Sequence, residues 1–389
     1  MSRAPNYLTI MAGTVGALTI AALALGVAVD PYRMFGTPVL EGWTALKPRA
    51  ARYGVSVKTH LLERVLPRTL LLGNSRVEVG LDPDNPDWPA ADRPVFNAAI
   101  AGHDLYTSMR MLDEALAVRS LQRIVLGLDY QDFLSDSADA VAPEEVEDDA
   151  RLYNHGRSFR LWKDRLSSTL SIDGVLDSIS TLLDQSPRTT ATMTAAGFNP
   201  LHEYRAFVER DGYYTLFARK QAEYLSQYGQ FSPQSFSDPM RNPNFRYLAH
   251  IIDVAVKHDC DLVLFFYPYH SRYLDMLNQL GLWPGFKMWK RSVLDIVDKH
   301  AGRFRDLVHV FDFSGYNAVT MERIPVQGDI QTEMRYYWEP GHFKSALGDL
   351  MIARIVGKDM SFGYVVTNET IDSVLSAIDA GRTRSFDLR

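Results

Sequence analysis

Two short segments, far apart in the chain, carry the residues best suited to chemistry. The first is Gly73-Asn74-Ser75-Arg76, directly after the apolar run Thr69-Leu70-Leu71-Leu72; the second is Glu339-Pro340-Gly341-His342, just ahead of a helical pattern over 343–356. A carboxylate three residues before a histidine, in a turn that Pro340 and Gly341 bend sharply, can accept from the imidazole Nδ1–H and leave Nε2 facing a hydroxyl. Nucleophilic acyl transfer needs that set: a serine activated by a base, a carboxylate fixing the base's tautomer, and N–H donors for the oxyanion. Ser75 is then the nucleophile, His342 the base, Glu339 the orienter, and the backbone N–H groups of Ser75 and Gly102 the oxyanion donors. Asp312 is a rival orienter if Glu339 points to solvent. Each segment also has a plainer reading. Gly-x-Ser after a strand is common turn chemistry, and Glu339 can cap a helix beneath which His342 packs. It is the pairing of the two, after the first strand and before the last helix, that points to a triad.

Such a pairing needs a scaffold that brings both segments to one edge. Apolar runs at 69–72, 94–98, 123–128, 261–267 and 308–313 read as strands, and helical periodicity at 106–117, 244–258, 289–301 and 343–356 alternates with them. Alternation of this kind implies an α/β domain with a parallel sheet, whose ligand crevice lies beyond the carboxyl ends of the strands. Polar and titratable residues follow those ends: Ser75 and Arg76, then Asn97 through Gly102 and His103, then Asp129, His270 and Asp312. Arg76, Asn97 and Asp129 are candidates for the oxyanion or substrate site, and His103 and His270 read as cleft lining. Tyr336, Tyr337 and Trp338 read as a mixture of core and cleft wall.

Residues 8–29 carry no charge and no strong breaker, enough to cross ~30 Å of hydrocarbon at about 1.5 Å per residue. That length favours a retained transmembrane anchor over a cleaved signal peptide, whose apolar core runs to about 7–15 residues. The charge balance across the segment weighs Arg3 against Arg33, Lys47, Arg49 and Arg52. Large domains nevertheless cross largely regardless of charge, and the expectation is a single-pass cell-membrane protein with its body outside the cytoplasm, in the periplasm. The rest is globular in composition, with 46% hydrophobic and 23% charged residues. A net charge of −6 without a basic run argues against nucleic acid as a partner. The single Cys260 cannot form an internal disulfide, and no Cys-x-x-Cys or His-x-x-x-His spacing points to a metal; no cofactor is expected. The expected organisation is an anchor at 1–30, a juxtamembrane segment at 31–67, and an α/β domain at 68–360. That domain is interrupted by a helical insertion at about 139–243, and a C-terminal extension follows at 361–389. The acidic run 144–149 reads as a solvated face of the insertion.

At the residues named first, the chain resembles the SGNH (GDSL-type) hydrolase superfamily, and within it the membrane-anchored envelope branch that includes the teichoic acid D-alanyl transfer protein and the alginate O-acetylation proteins. Gly73-Asn74-Ser75 matches the nucleophile block, Asn97 to Gly102 the second block, and Glu339-Pro340-Gly341-His342 the last. Three positions depart from the pattern: Asn74 stands where Asp is usual, Glu339 replaces the usual Asp, and Asp129 occupies the third block in place of an oxyanion-hole Asn. An ionised Asp129 would repel an oxyanion, so either it has a structural role or the donor comes from elsewhere. The resemblance implies an SGNH/flavodoxin-like three-layer fold and an O-acyltransferase or esterase acting on an envelope or exported polysaccharide, often beside a membrane-bound O-acyltransferase. The contrasting expectation is a non-catalytic scaffold that uses the cleft to bind glycan or a membrane partner.

Overall fold

The structure, a computed structural model, describes residues 6–134, 156–231 and 242–387. Five parallel strands, β1 (Thr69–Leu72), β2 (Val95–Asn97), β3 (Arg123–Leu128), β4 (Asp261–Phe266) and β5 (Val308–Asp312), are joined at the edge by the antiparallel β6 (Tyr364–Val365). Their order is β2-β1-β3-β4-β5-β6. The inner strands are buried along nearly their whole length, which is why they read as continuous Leu, Val and Phe runs instead of alternating ones. From β1 the chain steps to β2 on one side and then to β3 on the other. That reversal opens a crevice between the ends of β1 and β3, the strands that Ser75 and Asp129 follow.

Twelve α-helices are described: α1 (Asn6–Val29), α2 (Gly54–Val65), α3 (Ser75–Gly80), α4 (Leu105–Val118), α5 (Arg157–Thr169), α6 (Ile172–Leu183), α7 (His202–Tyr228), α8 (Pro243–Lys257), α9 (Ser271–Gln279), α10 (Trp283–Ala301), α11 (Ser345–Ile355) and α12 (Ile371–Asp387). Their starts follow local capping. Asp104 accepts from the Thr107 N–H ahead of α4, Ser171 from the Gly174 N–H ahead of α6, and Asn242 from the Asn244 N–H ahead of α8, where Pro243 takes the first helical position. Within α1, Tyr7–Val29 is long and apolar enough to cross a membrane, and its surface is left uncovered until its last two turns.

Three boundaries differ from the sequence reading. Helix α2 belongs to the domain, since Val57, Leu61 and Leu62 enter the main core; its buried Lys58, Thr59 and His60 interrupt the apolar period and hide it. The segment after 360 is no appendage, because β6 pairs with β5 and α12 buries Ile371, Val374, Leu375 and Ile378. Helix α10 begins at Trp283, with Pro284 in its first turn, six positions ahead of the expected 289. The described part of the insertion holds α5, α6 and α7, with an irregular stretch over 184–201 between α6 and α7, and Glu114 of α4 grips it through Arg157 (2.9 Å) and Arg160 (2.5 Å). The acidic run 144–149 lies outside the described residues.

Candidate active site

The segment that carries Ser75 is shaped by backbone geometry. Gly73 has φ +143°, and a Cβ there would lie 2.8 Å from the Tyr267 hydroxyl, so only glycine fits the turn out of β1. Asn74 then caps α3, its Oδ1 accepting from the Arg76 N–H at 3.1 Å, which leaves Ser75 at the first helical position with no intrahelical acceptor for its own N–H. The histidine segment is a tight loop closed by an antiparallel bridge between Tyr337 and Phe343 and by the Trp338 N–H donating to the His342 carbonyl at 3.0 Å. It is pinned to the chain after β4, where the Tyr337 hydroxyl donates to the Pro268 carbonyl at 2.7 Å and the His270 N–H to the Pro340 carbonyl at 3.1 Å.

These constraints bring Ser75 Oγ to 2.7 Å from His342 Nε2, across 267 positions of sequence. On the far side of the ring, His342 Nδ1 hydrogen-bonds Glu339 Oε1. Glu339 is fully buried, and each oxygen has a further donor: the Tyr224 hydroxyl on Oε1 at 3.1 Å and the Gly341 N–H on Oε2 at 2.9 Å. Burial alone would raise its pKa. The charge and hydrogen bond of His342, the Gly341 N–H and the charge of Arg76 outweigh that and hold the carboxyl below its ordinary range. An ionised carboxylate on Nδ1 selects the tautomer in which Nε2 is free to take a proton.

No protein-family model matches the chain, and no curated protein does.

Asp129 is the residue whose role the sequence left open. Its carboxylate is buried and ion-paired with Arg76, and it also accepts from Asn74 Nδ2 at 2.7 Å, the Tyr269 hydroxyl at 2.7 Å and the Gln131 N–H at 3.1 Å. It has a structural role and is no oxyanion donor. Arg76, equally buried, sits among the rings of Tyr267, Tyr269 and Tyr273 at 5.2–5.6 Å from their centroids, and its Nε donates to the Gly341 carbonyl at 2.9 Å. One guanidinium thus ties the residue after β3 to the loop that carries the histidine.

Three further expectations are corrected. Asn97 does not face substrate: its amide donates to the Val77 (2.8 Å) and Leu81 (3.0 Å) carbonyls and accepts from the Ala99 N–H, fastening α3 to the second-block loop. His270 does not line the cleft; it is buried against Phe217 and Tyr337, with Nδ1 capping α9 and Nε2 2.9 Å from the Glu322 carbonyl. Asp312 is no orienter, being spent on Lys290 at 2.6 Å, where both side chains are fully buried. Gly102 and His103 do line the cleft with Ser75, Arg76 and His342. Their loop is set by a buried pair, because Glu78 holds Lys58 at 3.2 Å and the Ala101 N–H at 3.1 Å, while Lys58 donates to the Ala99 carbonyl.

The cleft, about 250 Å³, is also lined by Asp104, Gln131, Asp132, Tyr224 and Gln227, none of which was expected. Burial and the charges of Asp129 and Asp104 push the Asp132 carboxyl well above the usual range. Tyr224 and Gln227 come from the insertion, on α7 beyond a break at Gly212 (φ +77°). Tyr224 lies 115 residues from Glu339, and nothing local in sequence announces their meeting.

Proposed function

We propose that the protein is a serine-dependent O-acyltransferase or esterase of SGNH type. On this reading α1 tethers it in the cell membrane with the globular body in the periplasm, and it modifies an envelope or exported polysaccharide. The observation that carries this is the 2.7 Å contact between Ser75 Oγ and His342 Nε2, with the ionised Glu339 on the other ring nitrogen. In the reaction, Nε2 takes the Ser75 proton as Oγ attacks the acyl carbonyl carbon. His342 then returns the proton to the leaving alkoxide, and a water or an acceptor hydroxyl takes the acyl group from Ser75 in a second passage through the same groups. The N–H groups of Ser75 and Gly102, both of which line the cleft, are the oxyanion donors of this scheme. The lining of Asp104, Gln131, Asp132 and Gln227 suits a hydroxyl-rich acceptor better than a long acyl chain. The acyl group would come from a membrane-bound O-acyltransferase beside the anchor. The scaffold alternative rested on Asp129, whose charge is balanced by Arg76 and no longer speaks for it.

A fluorophosphonate probe tests the chemistry. The full chain in detergent is expected to take one label, mapped by mass spectrometry to Ser75 and lost in Ser75→Ala. A folded protein that takes no label would contradict it.

A further inference from the structure

Helix α6 is built inside out. Its buried residues are Gly174, Asp177, Ser178 and Thr181, whereas Ile172, Leu176, Ile179 and Leu183, spaced 4, 3 and 4 apart, form one exposed apolar stripe. Exposure is large at both ends of that stripe, 81% at Ile172 and 82% at Leu183. The inward polar face is satisfied by the protein: Asp177 accepts from the Tyr32 hydroxyl at 2.6 Å and pairs with Arg52 at 3.2 Å, and the Ser178 and Thr181 hydroxyls bond back along the helix. In a water-facing helix the two faces would be exchanged.

The position of α6 accounts for the inversion. It packs against α1, and the hairpin it forms with α5 covers the last two turns of α1 so closely that a Cβ on Gly26 would lie 2.3 Å from Thr169 Cγ2. A second apolar group flanks the same end. Val39, Leu40 and Trp43 are exposed on the loop whose Thr37 hydroxyl bonds the Val27 carbonyl, and Leu46 of that segment is bound through its backbone by Gln185, just beyond α6. Exposed apolar residues of α6 and of the 39–43 loop thus flank the end of α1 whose own surface is apolar, with Glu41 the one charged residue in that loop. At 12 residues, roughly 18 Å, α6 is too short to cross ~30 Å of hydrocarbon, which fits an element lying in the interface.

Building on the reading that α1 spans a bilayer, we propose that α6 and the 39–43 loop form a lipid-embedded collar around the exit of α1, seating the domain on the membrane surface. The occupant of the stripe is the acyl and headgroup boundary of the leaflet in which α1 ends. A domain held this way cannot swing freely on its anchor, so the Ser75 cleft keeps a fixed height and orientation above the lipid.

The test uses the full chain in lipid nanodiscs that contain no other protein. Because Cys260 is the only cysteine, a Cys260→Ser background accepts single nitroxide labels at Leu176→Cys, Leu183→Cys and Trp43→Cys. Leu18→Cys in α1 is the lipid control and Glu369→Cys the aqueous control. The expected result is that collisions with oxygen exceed those with a water-soluble nickel chelate at 176, 183 and 43, as at 18, with the ratio reversed at 369. If 18 reads as lipid while 176 and 183 read as water, the collar is refuted and the anchor stands; if 18 also reads as water, the anchor reading fails first. Spin–spin broadening at 176 with both collision rates low would assign the stripe to a second copy and also refute the collar. The chain with its natural tryptophans gives an independent readout: acyl-brominated phosphatidylcholine should quench a fraction of the fluorescence that is missing in Trp43→Phe, and identical quenching in both would overturn the proposal.

Discussion

Arg76→Met isolates the feature on which the site's architecture depends most. The substitution keeps much of the side-chain volume but leaves Asp129 buried without its countercharge and frees the Gly341 carbonyl. Removing one partner of a buried pair costs about 3–5 kcal/mol, because the remaining charge is stranded away from water. Asp129→Asn strands Arg76 instead and should cost a similar amount, while the amide keeps part of the bonding to Asn74 and Tyr269. The double variant strands neither, so its cost should fall about 2–3 kcal/mol below the sum of the singles. Urea unfolding of the detergent-solubilised full chain, followed by ellipticity, measures all four corners of the cycle. Turnover of 4-nitrophenyl acetate adds a second readout. With Gly341 unfastened, His342 loses its fixed approach to Ser75, and Arg76→Met should lose at least about tenfold in kcat. Asp129→Asn should not gain rate. Additivity within about 0.5 kcal/mol, or a faster Asp129→Asn enzyme, would refute the reasoning; the latter would mean that the Asp129 charge bears on the oxyanion after all.

Other outcomes follow from individual contacts. Tyr224→Phe removes one of the two extra donors to Glu339, worth about 1 kcal/mol, and should lower kcat about fivefold with KM little changed in a steady-state comparison. Asp312→Asn strands the buried Lys290 and should cost about 3 kcal/mol in urea unfolding, while the protein that remains folded should match wild type in turnover of 4-nitrophenyl acetate, since Asp312 bonds Lys290 and not His342. Burial depresses the Lys344 amine to about 8, against the raising effect of Glu333 and Glu322. From about pH 8 up to its ordinary value of about 10.4 the unfolded chain therefore holds a proton that the folded one has released, and this residue's contribution to stability rises with pH. The stability difference between wild type and Lys344→Met should shift in favour of wild type across that window, and a flat difference would exclude the effect.

The central strands β1, β3 and β4 were legible because burial writes a nearly unbroken apolar run into each, and β5 keeps the signal despite the exposed His309 at its second position. The strand ends were legible for the same reason, and with them the shared edge that holds Ser75 and His342. Direction was not legible. His270 lies beyond β4 as Ser75 lies beyond β1, and Asp312 is the last residue of β5, yet one turns to cap α9 and the other inward to Lys290, choices made by side-chain partners from other parts of the chain. Strand β6 is two exposed residues long and leaves no pattern. Tyr224 and Gln227 reach the cleft only because α7 folds across it, a long-range contact without a local signal. Asp129 shows the converse: its residue type raised the right question, and the answer lay in Arg76, which the sequence places beside Ser75 without indicating that its guanidinium pairs with Asp129 and holds the Gly341 carbonyl.

The most direct test of the catalytic reading is turnover of 4-nitrophenyl acetate by the full chain, with Ser75→Ala and His342→Ala beside it and folding checked by ellipticity. The account predicts a clear wild-type rate that falls to background in both variants while the fold is kept. A folded wild type without activity, or variants that match its rate, would contradict it.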